Sequence, residues 1–160
     1  MIVISDTSPI NYLILIDCIE ILPQLYDKVT IPNSVFKELN HLKTPEKVKN
    51  WIVSKPDWLG VSTMEQKERY LAIGEGESDA IALALALNAD LILLDDAEAR
   101  QVAIENGLTI TGTLGVLVSG SKANLIDLSD AVNKLRLTSC RISEKLLEAI
   151  LQQNKPEDNI

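Results

Sequence analysis

Short apolar runs alternate along the chain with longer segments in which apolar residues recur every three or four positions. The runs predict buried strands, and the longer segments predict helices. Strands that are apolar throughout and separated by helices are typical of a parallel sheet covered on both faces. We therefore expect an α/β three-layer sandwich with a central parallel sheet of four to five strands. The predicted strands lie at 1–4, 28–31, 89–96 and 108–111, and a short extended piece is predicted at 58–62.

Local signals indicate where the helices begin. Ser8 is predicted to cap the first helix with Pro9 at its first position, where a missing N–H costs nothing. Pro32 is predicted to start the helix after the second strand. A further helix is expected at 64–73, and a glycine-flexed loop from Gly112 is expected to lead into a later helix.

The 160 residues, 46% of them hydrophobic, are enough for one buried core but too few for two domains, each with a core of its own. We expect one domain at 1–150 and a frayed tail at 151–160. The chain start lacks the basic region of a secretory signal, and the longest apolar run, 80–87, is far shorter than the ~20 residues of a membrane span. Two cysteines are too few for a disulfide scaffold. We therefore expect a reduced, cytoplasmic protein without a membrane partner.

The charged residues narrow the chemistry. The single histidine, His41, cannot supply a histidine-built zinc site and argues against a Ser-His-Asp triad. The net charge of −8 argues against a general nucleic-acid coat protein. The charge is uneven, because six lysines lie at 28–55 and ten acids lie at 65–105. This pattern is compatible with a metal site beside a path for a polyanion, and equally with two solvated faces.

Acids from four segments are expected at one edge of the sheet. Ligands of such α/β sheets gather at the carboxyl ends of the strands. Asp6 directly follows the first strand, and a pair of aspartates follows the third strand. The acids of these segments are Asp6, Glu38, Glu77, Asp79, Asp95 and Asp96.

Each acid also has a purely structural interpretation. Asp6 could shape the turn or cap the helix, and Glu38 could belong to a solvated face. Glu77 and Asp79 could be ordinary helix-start residues. Capping the next helix needs only one member of the pair at 95–96, so the other is left for chemistry.

Carboxylates that converge at this edge would repel one another. Two of them ~4 Å apart repel by about 4 kcal/mol at an effective dielectric constant near 20. The cluster therefore needs a divalent cation or the protonation of some members. Oxygen ligands without histidine favour Mg²⁺ or Mn²⁺ over zinc. Because a carboxylate-bound metal can activate water and polarise a phosphoryl oxygen, the pattern predicts phosphodiester hydrolysis.

Four motifs, in this order and spacing, resemble the PIN-domain family. They are ISDTSPI, IPNSVFKEL, GEGESDAIALALALNADLILLDD and TGTLGVL, and they span residues 4–117. More narrowly, the chain resembles a small prokaryotic PIN subgroup related to the VapC-type toxins. The resemblance implies a Rossmann-like, single PIN-like domain and an Mg²⁺- or Mn²⁺-dependent endoribonuclease.

The resemblance also implies roles for individual residues. The residues implied to be catalytic are Asp6, Glu38, Asp79 and Asp95. The resemblance implies that the three aspartates among them bind the metal. The possible accessory residues are Thr7, Ser8, Glu77 and Asp96. Thr7 or Ser8 would supply the hydroxyl that PIN proteins keep beside the first acid.

The chain departs from the toxin pattern after the third strand. Many VapC-like toxins carry Thr-Arg-Asp where this chain has Leu94-Asp95-Asp96, so the basic residue is missing, and Arg100 is a candidate substitute. Such toxins pair with an antitoxin and often self-associate, so the resemblance implies RNA as substrate, an antitoxin partner and a homo-oligomer. The candidate RNA or partner contacts, which could also be solvated surface residues, are Lys43, Lys47, Lys49 and Arg100.

Two other functions stay open. A non-catalytic PIN fold could bind a protein or RNA partner; the negative charge and the missing arginine favour this, whereas the retention of all four acid positions opposes it. A phosphatase of the haloacid-dehalogenase type needs a second aspartate two residues after the first, and that position is Ser8.

Overall fold

Five parallel strands form one sheet in the described part of the chain, which comprises residues 1–64, 70 and 72–155 of a computed structural model. Their order across the sheet is β3-β2-β1-β4-β5. The predicted α/β sandwich with four to five parallel strands is confirmed. The strands are β1 (Val3–Ser5), β2 (Val29–Pro32), β3 (Leu59–Ser62), β4 (Leu91–Leu93) and β5 (Ile110–Thr111).

Nine helices flank the sheet within the same described residues. Two helices connect β1 to β2, two connect β2 to β3, and one helix joins each later pair of consecutive strands. Three helices follow the last strand. The helices are α1 (Thr7–Leu15), α2 (Ile21–Tyr26), α3 (Asn33–Leu39), α4 (Glu46–Val53), α5 (Glu75–Ala86), α6 (Ala97–Glu105), α7 (Thr113–Lys122), α8 (Leu128–Arg136) and α9 (Glu144–Gln153).

Successive residues of the central strand face two hydrophobic cores, because side chains alternate across a sheet. Val3 packs into the core that holds α1, α2 and α7. Ile4 packs into the core that holds α5 and α6 on the opposite face. Both side chains are buried. This burial on both faces explains why the sequence of β1 is a largely apolar run. The packing on both faces also fixes the position of the carboxyl end of the strand.

Two predicted helix starts are wrong by one or two residues. α1 begins at Thr7 with Asp6, not Ser8, at the N-cap position, so Pro9 is the third helical residue. Proline is tolerated there because the first N–H groups of a helix have no partner within it. Pro32 ends β2, and α3 begins at Asn33.

Other expectations change in detail. The extended piece at 58–62 is a full strand, β3, paired along its length with β2. Most of the helix predicted at 64–73 lies outside the described residues, and the described residues of that range are not helical. Helix α7 begins directly after Gly112, in place of the predicted loop. The predicted boundary after residue 150 lies within α9.

None of the helices in the described part of the chain has the length and apolar character that crossing a membrane requires.

Candidate active site

The strand order changes direction between β1 and β4, which are neighbours in space but distant in sequence. This point is a topological switch, where α/β sheets form their ligand sites. Ser5 is in register with Leu93, and the N–H of Asp6 donates a hydrogen bond of 3.0 Å to the Leu93 carbonyl. Asp6 and Asp95 therefore leave adjacent strands at the same edge of the sheet.

Asp6 is buried, with 3% of its surface exposed, and its Oδ1 atom has no hydrogen-bond partner among the residues that the structure describes. Burial raises the pKa of this carboxyl to about 7, against the contribution of the Thr7 backbone N–H, which lowers it. The negative charges of Glu77, Glu38 and Asp95 raise the pKa further. Asp6 thus lies within electrostatic range of three other predicted site acids.

Asp79 supplies a second buried carboxylate from the first turns of α5. Its side chain is 7% exposed, and its Oδ1 atom also has no hydrogen-bond partner. Helix α5 packs against β1, β2 and α3, and Asp79 lines one groove with Glu38 and with Pro32 at the carboxyl end of β2. Buried carboxylate oxygens normally accept hydrogen bonds, and these two atoms accept none from the described residues.

Glu38 reaches the edge from α3 and is tied to α1. The hydroxyl Oγ1 of Thr7 donates a hydrogen bond to Glu38 Oε2. On its other side the carboxylate rests against the backbone of α5, because a Cβ atom at Gly76 would lie only 2.7 Å from Glu38 Oε1. The hydroxyl predicted beside the first acid therefore belongs to Thr7, and it positions Glu38.

Asp95 is held by Thr113, the first residue of α7. The Thr113 N–H donates to Asp95 Oδ1 and the Thr113 hydroxyl donates to Oδ2, each at 2.7 Å. Thr113 is fully buried, and a Cβ at Gly112 would lie 2.6 Å from Asp95 Oδ1. A glycine at 112, which leaves room for the carboxylate, and a hydroxyl side chain at 113 thus hold the aspartate in one orientation.

Thr113, Gly112 and Gly76 are positioning residues that the sequence reading missed. Thr113 could have been found from its motif, since Gly112-Thr113 directly follows β5 and a threonine there lies at the same strand edge as the acids. Gly76 carries no local signal, because its role arises only when α3 packs against α5.

Glu77 and Asp96 are shared between the site and their helices. Glu77 Oε2 accepts a 2.9 Å hydrogen bond from the Gly74 N–H at the start of α5. Burial raises the pKa of Glu77, and the charges of Asp96 and Glu38 add to this. Asp96 caps α6 through a 2.9 Å bond from Ala99 N–H. The expectation that one of the two aspartates caps this helix is confirmed.

The four predicted basic contacts are three lysines, which lie in or shortly before α4, and Arg100 of α6. Lys47 pairs with Asp17 at 2.7 Å, beyond the end of α1 that lies about 14 Å from Asp6. Lys49 pairs with Glu46 at 2.8 Å, and Lys43 is exposed on the loop before α4.

Arg100, by contrast, lies at the acidic edge. Its Nη1 atom donates a 3.4 Å hydrogen bond to the Leu94 carbonyl. A Cβ at Gly112 would lie 2.9 Å from the same Nη1 atom and 2.6 Å from Asp95 Oδ1. Arg100 is therefore beside Asp95.

Two open grooves border the carboxylates. The first, here called the arginine groove, has a volume of ≈ 960 Å³, and its lining includes Ser8, Tyr12, Asp95, Arg100, Arg141 and Leu146. The second, here called the lysine groove, has a volume of ≈ 540 Å³, and its lining includes Lys37, Glu38, His41 and Asp79.

The donor chemistry of the site fits a hard divalent cation. Asp6 and Asp79 each present a buried oxygen without a partner, and Asp95 is oriented at the neighbouring strand. Oxygen-only donors favour Mg²⁺ or Mn²⁺. Across the residues that the structure describes, however, no group of three or more His, Cys, Asp and Glu side chains is arranged to hold a metal ion. The candidate metal ligands are thus present, but no three of those described are grouped as a metal site requires.

A sequence model of a protein family described as a PIN domain matches residues 2–156. No curated protein and no solved structure matches the chain. PIN domains are commonly nucleases and generally use divalent metals. Because the family match covers far more than half of the residues, the chain belongs to the PIN-domain family.

Proposed function

We propose that this protein is a metal-dependent endoribonuclease that hydrolyses RNA phosphodiester bonds. The observation that carries the proposal is a pair of buried carboxylate oxygens that have no hydrogen-bond partner among the described residues. One belongs to Asp6 at the switch between β1 and β4, and the other belongs to Asp79 of α5, beside Glu38. Such an arrangement is unfavourable in the folded chain unless a proton or a cation compensates it. In a nuclease site, the bound metal ion would provide this compensation.

Asp6, Asp79 and Asp95 would hold one or two Mg²⁺ or Mn²⁺ ions. A divalent cation bound there supplies positive charge for the phosphoryl oxygens and lowers the pKa of water. Thr113 fixes both oxygens of Asp95, and Thr7 fixes one oxygen of Glu38. The role that we assign to Glu38 is to orient the attacking water. The water oxygen would bond to the scissile phosphorus as the bond from phosphorus to one ribose oxygen breaks, without a covalent enzyme intermediate.

The biological role that we propose is the toxin half of a toxin–antitoxin pair. Its support is the resemblance of the four motifs to the VapC-related subgroup. In that role the protein acts in the cytoplasm, self-associates, and is covered at its carboxylates by an antitoxin. In the same proposal, Arg100, which lies beside Asp95, takes the role of the basic residue of the toxin triplet. Co-purification with the product of the adjacent reading frame tests the partner.

Replacement of Asp6 by asparagine tests the nuclease directly. The Asp6→Asn chain should fold normally, because asparagine has nearly the same shape and removes a buried charge. It should cleave RNA at least about 100-fold more slowly, because a metal-ligand oxygen is lost. Cleavage by labelled-RNA assay and folding by circular dichroism are the measurements. Retained cleavage by a folded Asp6→Asn chain in buffer with Mg²⁺ would contradict the assignment.

A second candidate is a PIN fold that binds a protein or RNA partner without cutting. The observation in its favour is that, within the described residues, no three candidate ligands are grouped for a metal and both oxygens of Asp95 are engaged by Thr113. Titration calorimetry with Mn²⁺ separates the two functions. Binding that disappears in Asp79→Asn supports the nuclease, whereas a folded wild-type chain that binds no Mn²⁺ supports the binding module.

A further inference from the structure

The arginine groove extends the acidic edge toward the C-terminal part of the chain. Its lining includes Asp95 at the carboxylates and continues through Arg141 to Leu146 and Ile150 of α9. An RNA strand whose phosphate is placed at the carboxylates must leave the site on both sides. The arginine groove provides one exit, and the lysine groove, which contains Glu38 and Asp79, provides another.

Two guanidinium groups of the arginine groove lack a carboxylate partner among the described residues. Arg141 is exposed and makes neither an ion pair nor a hydrogen bond with any of them. Within the same part of the chain, Arg100 donates only to a backbone carbonyl, at 3.4 Å. Elsewhere on this acidic chain, Lys47 and Arg136 are paired with carboxylates. Unpaired guanidiniums beside a nuclease site are suited to phosphate, which they bind in a bidentate manner.

The walls of the same groove are partly apolar. Leu114, Ile142, Leu146 and Ile150 contribute to its lining, and Leu146 is 49% exposed. Tyr12 adds an aromatic ring whose hydroxyl lies 3.4 Å from Ser139 Oγ. A duplex presents mainly phosphates and hides the faces of its bases, whereas unpaired bases can pack on apolar and aromatic side chains. The lining therefore favours a single strand.

We propose that the arginine groove binds a single RNA strand next to the cleavage point, with Arg141 and Arg100 contacting its phosphates and Tyr12 contacting a base. This inference rests on the proposed nuclease function, because it places the scissile phosphate at the carboxylates. An acidic segment of a partner protein could also satisfy the two arginines. RNA is the favoured occupant because the groove opens directly onto the residues that would cleave it.

Fluorescence anisotropy with a labelled, unstructured 12-nucleotide RNA tests the groove without cleavage. Binding is measured once in EDTA and once with Ca²⁺ in place of Mg²⁺, for the wild-type chain, Arg141→Gln and the control Lys145→Gln. Lys145 is exposed on α9, and it does not line the groove. Arg141→Gln should weaken binding about 5- to 10-fold and lower the salt slope of log K by about 0.7, because one phosphate contact is lost. Lys145→Gln should leave both values within about 2-fold of wild type.

A blunt duplex of the same sequence should bind more weakly than the single strand. Equal effects of Arg141→Gln and Lys145→Gln, equal affinity for single strand and duplex, or no wild-type binding in either buffer would each overturn the inference. If RNA binding is insensitive to Arg141→Gln, the groove is left to a protein partner. A chain that binds RNA through Arg141 yet never cleaves it would contradict the nuclease and support the groove, so the two failures are distinguishable.

Discussion

Asp6 combines three properties that are individually unfavourable. Its carboxyl is buried, one of its oxygens has no hydrogen-bond donor, and three other acids act on its charge. A proton relieves all three, which is why burial raises its pKa to about 7. A divalent cation would relieve them equally well. Asp6 is therefore the residue that most clearly destabilises the metal-free fold, and it is also a metal ligand of the proposed nuclease.

The metal-free protein should become less stable as the pH rises through the titration of Asp6. The folded-state pKa is about 7 and the ordinary value is 3.8, so between these values the folded chain retains a proton that the unfolded chain has lost. Stability that is present below pH 3.8 is therefore lost as the pH rises toward about 7. The loss amounts to about 4 kcal/mol over the whole range.

Urea unfolding in EDTA at pH 5 and pH 8 measures this contribution. The asparagine side chain of Asp6→Asn cannot titrate. As the pH rises, the free energy of unfolding of this variant should therefore increase relative to that of the wild-type chain. Other carboxyls titrate in both chains, and the comparison cancels them. A difference between the two chains that does not change with pH would show that Asp6 ionises normally.

Thr113 makes a separate prediction at the residue scale. Thr113→Val keeps the shape and the N–H bond but removes the hydroxyl that donates to Asp95 Oδ2. The free energy of unfolding should fall by about 1–3 kcal/mol, and RNA cleavage should fall about 10-fold because Asp95 gains freedom. Thr113→Ser, which restores the donor, should recover most of the cleavage. Equal activity of the valine and serine variants would show that the hydroxyl does not position Asp95.

At the scale of elements, the site depends on which helices and strands meet. β1 and β4 bring Asp6 beside Asp95, and the contact of α3 with α5 brings Glu38 against Gly76. These contacts join segments that are far apart in the chain. A small change in the packing of two helices therefore moves a side chain of the site even when that side chain is not itself substituted.

Gly76→Ala tests this coupling. The added methyl group would lie 2.7 Å from Glu38 Oε1, so the carboxylate must move. We expect RNA cleavage to fall about 10- to 100-fold, as an ångström-scale misplacement of a catalytic group does. Gly60→Ala is the control, because its methyl group would meet only Thr30 Oγ1 at 3.6 Å. If both variants cleave RNA alike and both fold, Glu38 is not positioned by α5.

The element pattern was largely predictable from sequence, whereas the contacts between elements were not. Largely apolar runs identified β1, β2, β4 and β5, because both faces of the sheet are covered and most strand positions are apolar. The start of α1 was misplaced because Ser8-Pro9 is a good start signal, but Asp6 already leaves the strand with extended backbone and lets the helix begin at Thr7. Local signals carry no information about that strand–helix junction.

The candidate site was predicted in part for the same reason. The position of each acid relative to a strand end was readable, so Asp6 and Asp95 were expected at one edge. The hydrogen bonds from Thr7 to Glu38 and from Thr113 to Asp95 depend on side-chain geometry between distant segments. The pairing of Lys47 with Asp17 likewise depends on the packing of α4 against α1.

At the scale of the whole molecule, charge and stability are linked through the site. The chain carries a net charge of −8, and several of its acids meet at one edge of the sheet. Self-repulsion of this kind destabilises the compact state. A cation that binds only the folded chain stabilises it by mass action, so the site should make the stability of the whole protein depend on divalent metal.

Thermal unfolding with and without metal tests this dependence. At a Mn²⁺ concentration of 100 times its dissociation constant, the free energy of unfolding should rise by about 2.7 kcal/mol. Asp79→Asn should lose most of this gain. Asp57→Asn removes an equally charged but exposed side chain and should keep it. An equal gain in all three chains would indicate screening of surface charge, not a site.

The most direct test of the proposed nuclease is cleavage of a panel of labelled RNAs with Mg²⁺ or Mn²⁺, beside an EDTA control, Asp95→Asn and Asp57→Asn. We expect the wild-type chain and Asp57→Asn to cleave RNA, EDTA to abolish this cleavage, and Asp95→Asn to reduce it by at least about 100-fold. Cleavage that persists in EDTA or in Asp95→Asn would contradict the proposal. So would a folded wild-type chain that neither cleaves any RNA nor binds metal.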